Sequence, residues 1–179
     1  MQFKVVNQFG PQWGDVWQSY LGSSRLLQVK EFCSLDGTLS ESVFLPSTDE
    51  DWENCINDDF MLDMITNLKY ARKIQAMNPE SVIFGFIIDP KPADIEDAVG
   101  LIGFDIIDGD CEISLVTNSD GFPGAFKPQD VSEYGLFDSY EFACGVRDKL
   151  RRQYSKDPNA EKCNVWAVYR GSSLVDAEV

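Results

Sequence analysis

Between Val99 and Asn118 the chain reads VGLIGFDIIDGDCEISLVTN, two runs rich in Ile, Leu, Val and Phe on either side of Asp108-Gly109-Asp110. An Asp-Gly turn between apolar runs is the signature of a β-hairpin. The near-continuous apolar character of Gly100 to Ile107 predicts a buried strand at the centre of a sheet, its shortness arguing against a helix. Ser81 to Asp89 (SVIFGFIID) predicts a second strand. Arg25 to Leu35, closed by Asp36-Gly37, predicts an earlier one. The closing CNVWAVYR, Cys163 to Arg170, carries large apolar groups on both of its alternating faces, so a strand there is covered on both sides.

Helical spacing accounts for most of the rest. Within residues 1–24, Trp13, Val16, Trp17, Tyr20 and Leu21 recur at i, i+3, i+4, i+7 and i+8, an amphipathic stripe ended by Gly22 and Ser23. Such a stripe either docks on the core or offers aromatic anchors to a partner. Ser47-Thr48 can cap a helix through DEDWENC, with Asp49, Glu50 and Asp51 in a first turn that favours anions. A second helix is predicted from Asp58 to Ala71. Its apolar face is Phe60, Leu62, Met64, Ile65, Leu68 and Ala71, with Lys69, Arg72 and Lys73 at its end and a break at Asn78-Pro79. Asp130 to Gly135 suggests one further turn. Asp138 to Lys156 gives the strongest helix. Asp138 is its expected cap, Tyr140, Ala143, Val146, Leu150 and Tyr154 line one face, and Lys149, Arg151, Arg152 and Lys156 sit toward the C-terminal end. Strands cluster and helices flank them. The expectation is one α+β domain over 1–179, an antiparallel or mixed central sheet with helices packed on it, and a frayed tail over 171–179.

Charge changes this picture more than length does. The 179 residues, 44% hydrophobic and 12% aromatic, suffice for a folded core, but 30 acids stand against 15 bases, a formal charge of −15, with no histidine at all. From Glu31 to Leu68 ten acids (Glu31, Asp36, Glu41, Asp49, Glu50, Asp51, Glu53, Asp58, Asp59 and Asp63) occur without one Lys or Arg. Phosphate contacts require basic side chains, so direct nucleic-acid binding and attachment to an anionic membrane are both disfavoured. A basic protein is what such a surface attracts. Five cysteines, an odd number without C-x-x-C spacing, argue for reduced thiols. The start MQFKVVNQF lacks an apolar leader core, and Val82 to Ile88 is too short to span a bilayer, so a cytoplasmic protein is expected.

The absence of histidine removes Ser-His-Asp and Cys-His nucleophile systems and most zinc sites. Neither phosphate-loop nor dinucleotide-loop glycine patterns occur. Asp105, Asp108, Asp110 and Glu112 around the hairpin tip could supply oxygen ligands to Mg²⁺ or Ca²⁺, which motivates a carboxylate-based, metal-dependent hydrolase as an alternative, although their spacing differs from an EF-hand loop. The leading expectation involves no catalysis, no metal and no cofactor. It is a partner-binding face made of Asp49, Glu50, Asp51, Trp52, Glu53, Asp58, Asp59, Phe60 and Asp63, where carboxylates steer the encounter and Trp52 and Phe60 anchor it.

The acidic span around Asp49-Glu50-Asp51-Trp52, together with LIGFDIIDGDCEISLVTN, FDSYEFACGVRDKLRRQY and CNVWAVYR, resembles in character the small acidic immunity proteins of bacterial toxin systems, including contact-dependent inhibition. That resemblance implies a protein that neutralises a cognate toxin domain, often a basic nuclease, by blocking its active site or an essential surface. A phage protein that imitates the charge of DNA to occupy a host DNA-binding protein shares the same electrostatics and differs in its partner.

Overall fold

The computed structural model describes residues 1–36, 39–44, 51–57, 64–96, 99–109, 113–117, 122 and 124–171, with residues 53 and 57 through their backbone alone. Four long strands form the body of an antiparallel sheet: β1 (Gln2–Gln8), β5 (Val82–Ile88), β6 (Leu101–Ile107) and β7 (Asn164–Arg170). Three short strands, β2 (Ser40–Ser42), β3 (Ile56–Asn57) and β4 (Met64–Ile65), complete it. The order is β3-β4-β1-β5-β7-β6, with β2 sharing the edge of β1 that β4 also uses. The α+β architecture expected from the sequence is the one observed, with every pairing antiparallel.

β7 behaves as its sequence requires. Val165, Ala167 and Tyr169 enter one core with Phe3, Val5 and Ile83, while Trp166 and Val168 enter a second with Val6, Phe84 and Phe86. Helices α3 (Leu68–Met77) and α5 (Tyr140–Gln153) pack on the sheet, α3 against β1 and β5, α5 against β6 and β7. Their buried residues, including Ala71, Ile74, Ala143, Val146 and Leu150, belong to the first core. Residues Cys33, Leu35 and Leu136 close the second.

Several expectations are corrected by this arrangement. The apolar run at Leu101–Ile107 is the last strand of the sheet, with β5 and β7 nearer its middle. It is nevertheless covered along its outer edge: Phe104 and Phe137 exchange backbone hydrogen bonds of 2.8 and 2.9 Å, and the Leu115 amide donates to the Ile106 carbonyl at 2.7 Å. A run can therefore read as central because coil, not another strand, covers it. The chain does turn back after Asp108, but among the described residues the return pairs with β6 through a single bridge, Ile107 with Ser114, and residues 115–117 are a turn. Gly103 marks a bulge in this strand at φ 149°, where a Cβ would stand 2.8 Å from the Phe137 carbonyl oxygen.

Arg25 to Leu35 is not a strand. Leu26, Val29, Phe32, Cys33 and Leu35 are all buried at irregular spacing. The backbone bonds instead to a loop, with the amides of Lys30 and Cys33 donating to the carbonyls of Glu133 and Tyr134, each at 2.9 Å. The first strand is β1, earlier in the chain and not anticipated. The helix expected from Asp58 begins only at Leu68: Met64 and Ile65 are fully buried in strand pairing with β3 and β1, and Asn67 caps α3 by accepting from the Lys69 and Tyr70 amides at 2.8 and 3.3 Å. Residues 58–63 of that expected helix lie outside the described residues. As a result Lys69, Arg72 and Lys73 occupy the first six positions of α3 and not its last turn, while the helix does end where Asn78-Pro79 predicts. The cap of α5 is Ser139, which accepts from the Phe142 amide at 3.2 Å, one residue beyond the expected Asp138. Shorter helices are α1 (Asp15–Ser24), α2 (Trp52–Cys55), α4 (Pro92–Ile95) and α6 (Pro158–Glu161). α1 runs through Gly22 and Ser23 and ends at Arg25 in the left-handed region. Among the described residues no helix is long and apolar enough to cross a membrane. Cys33, Cys55, Cys144 and Cys163 are free thiols.

Candidate functional site

Of the nine residues predicted to contact a partner, the structure places two completely. Asp49, Glu50, Asp58, Asp59, Phe60 and Asp63 lie outside the described residues, as does the side chain of Glu53. Asp51 precedes α2 and accepts from Lys73 of α3 at 3.0 Å, both side chains being about half exposed. Trp52 packs edge-on against Phe44, ring centroids 5.7 Å apart. Other acids of the same run have structural partners too: Glu31 pairs with Arg170 of β7 at 2.6 Å, and buried Asp36 accepts from the Ser114 amide at 3.0 Å. Folding thus carries bases from α3 and β7 to acids that look unopposed along the chain. Glu41 on β2 is exposed.

Asp105, considered above as a metal ligand, is fully buried and spends its oxygens on the protein. Oδ2 accepts from the Ser34 hydroxyl at 2.9 Å and the Leu35 amide at 3.4 Å; Oδ1 accepts from the Ser114 hydroxyl at 2.5 Å and from the amide of its neighbour Ile106 at 2.8 Å. Burial pushes this carboxyl up to about 7 against these stabilising hydrogen bonds, with the nearby Asp36 adding to the rise. The amides of Val116 and Thr117 both donate to the Ser114 hydroxyl oxygen at 3.2 Å, so the group ties the segment before Asp36 and the turn at 115–117 to β6. Asp108 is also buried and accepts from the Ile113 amide at 3.3 Å. Asp110 and Glu112 lie outside the described residues. Among the described residues no group of three or more His, Cys, Asp or Glu is gathered for a metal. Burial also raises the Cys33 thiol to about 12 and moves Cys163 upward, which opposes thiolate formation at both.

An apolar groove of about 430 Å³ lies open beside α1. Its origin is local. Pro11–Trp13 forms a 3-10 turn whose Trp13 amide returns to the Gly10 carbonyl at 3.0 Å. Gly14 at φ 56°, a conformation that favours glycine, then starts α1 in a new direction. The aromatic stripe consequently divides between the two roles its spacing allowed. Trp17 and Leu21 are buried, whereas Trp13 is 52% and Val16 61% exposed. Phe9 links the halves, its ring centroid 5.5 Å from Trp13, 5.4 Å from Trp17 and 5.7 Å from Tyr20. The Tyr20 hydroxyl donates to the Thr117 carbonyl at 2.8 Å, fixing the ring at the groove wall. Leu39 and Glu41 line the other side, where Glu41 pairs with Asn7 across β1 and β2. The Trp-Tyr stripe was legible in the sequence; Glu41 as its neighbour was not, because β2 joins them only by pairing.

β2, β3 and β4 all pair on the side of β1 away from β5, so the groove residues of β2 and the Asp51-Trp52 pair before β3 lie toward the same edge of the sheet. This arrangement offers ring surfaces, apolar contact and carboxylates, which equip it for binding. Comparison with known protein families, curated proteins and solved structures found no match to the chain.

Proposed function

We propose that this chain is a non-enzymatic acidic inhibitor, of the immunity-protein kind, that neutralises a basic toxin domain such as a nuclease. The observation that carries the reading is the exposed aromatic groove of Trp13 and Val16, rimmed by Glu41, on a chain of formal charge −15. Large apolar anchors supply desolvated contact, while a field of one sign accelerates the encounter with an oppositely charged partner. A cytoplasmic location fits a partner that acts on cytoplasmic targets. Asp51 and Trp52, beside β3 and so toward the same edge of the sheet, add a carboxylate and a ring to what that edge offers a partner. Asp105 and Asp108, the described carboxylates of the alternative metal hydrolase, are engaged by the protein's own donors, which favours the binding reading over that one.

The test is capture from cells of the native organism at about 0.1 M and about 1 M salt, where the screening length falls from roughly 10 to roughly 3 Å. The captured protein is then purified and assayed for its own activity. A single basic protein retained in stoichiometric amount at both salts, and silenced by one equivalent of the chain, is the expected result. A mixture of basic proteins lost at high salt, or a retained partner whose activity is unaffected, overturns the proposal.

A further inference from the structure

The groove beside α1 is more selective in its chemistry than an apolar patch. Among the described residues that line it, Glu41 is the only charged one, and Phe9, Trp13 and Tyr20 supply three aromatic rings. An aromatic face carries negative quadrupole density and attracts a cation laid against it, most strongly at indole. A carboxylate at the rim adds a charge-assisted hydrogen bond for the same group. An uncharged apolar side chain would gain ring contact but leave Glu41 unused and partly desolvated. Resting on the proposed basic partner, we propose that the groove is a socket for one arginine side chain of that partner. Its guanidinium lies against the indole of Trp13 and bonds to Glu41, and its methylenes cover Val16 and Leu39. Arginine suits this place better than lysine, because its planar head stacks on rings and is weakly hydrated, whereas an ammonium resists leaving water. The side-chain oxygen of Asn7, exposed and paired with Glu41 across β1 and β2, offers a further acceptor to a head with five N–H donors.

The experiment uses two capped tripeptides, Gly-Arg-Gly and its citrulline counterpart, which has nearly the same shape without the charge. Each is titrated into the full chain while NMR follows the indole N–H resonance of Trp13, assigned with Trp13→Phe, and the backbone amide resonances of Asn7 and Glu41, which also report on the Trp13 variants. The arginine peptide is expected to bind saturably and at least about 5-fold more tightly than the citrulline peptide, the size of a partly desolvated cation–π contact. Glu41→Gln, on an exposed strand position, should weaken the arginine peptide about 5-fold and leave the citrulline peptide unchanged. Trp13→Ala should abolish the preference while the other resonances keep their positions, and Trp13→Phe should keep part of it. Equal affinity for the two peptides, no saturable shift with either, or indifference to Glu41→Gln overturns the socket. Its failure is separable from failure of the inhibitor reading. A silenced partner that ignores Glu41→Gln and Trp13→Ala overturns the socket alone. Charge discrimination by a groove on a chain that silences nothing overturns the reading alone.

Discussion

Replacing Asp105 by asparagine separates the cost of burying a charge from the value of the hydrogen bonds around it. The carboxyl is fully buried and raised from 3.8 to about 7, burial being the largest cause. Its folded value therefore lies above its unfolded one, and between the two the folded chain holds a proton that the unfolded chain has released. Stability from holding that proton is fully present below the unfolded value and is lost as pH rises through about 7. From about pH 5, above the isoelectric region of so acidic a chain, to about pH 8.5 the loss amounts to about 3 kcal/mol. The carboxamide of the Asp105→Asn variant cannot titrate. It keeps one oxygen for the donors of Ser114 and Ile106, while its NH₂ group faces the Leu35 amide at a cost that does not depend on pH. Urea unfolding of both proteins across this range gives the difference between them, in which the other titrations largely cancel. The expected result is a difference that moves by about 3 kcal/mol in favour of Asp105→Asn as pH rises. A difference that stays constant would show that the carboxyl remains ionised in the fold, and the argument from burial would fail.

Two further outcomes follow from packing. Gly103→Ala must hold a Cβ at φ 149° within 2.8 Å of the Phe137 carbonyl oxygen and of the Leu136 side chain, so chemical denaturation should show a loss of about 2 kcal/mol. Trp17→Ala should cost about 3–5 kcal/mol because its ring is 2% exposed, whereas Trp13→Ala, at 52% exposure, should cost about 1 kcal/mol or less. Equal losses at the two tryptophans in thermal or urea melts would mean that α1 presents a different face to the core.

Some features were determined by the sequence alone, because their causes are local. Val82–Ile88 and Asn164–Arg170 are strands wherever they are placed, since short apolar runs bounded by turn formers leave few alternatives. The helix Tyr140–Gln153 needs only its cap, its stripe and its basic end. The α+β class follows from their order. Tertiary structure decided whatever depended on a remote neighbour. Met64 and Ile65 carry a helical spacing, yet burial against β1 makes them a strand. Leu101–Ile107 looks central, yet coil at Phe137 and Leu115 covers its edge. The acidic run loses part of its field because Lys73 and Arg170 arrive from elements far along the chain. Trp13 and Trp17 have the same composition and nearly the same spacing signal. Only the turn at Gly14 and the position of Phe9 put one in the core and leave the other facing a groove with Glu41. Local sequence sets backbone preference and which residues seek burial; which carboxylates remain charged, exposed and unopposed depends on distances that exist only after the strands pair.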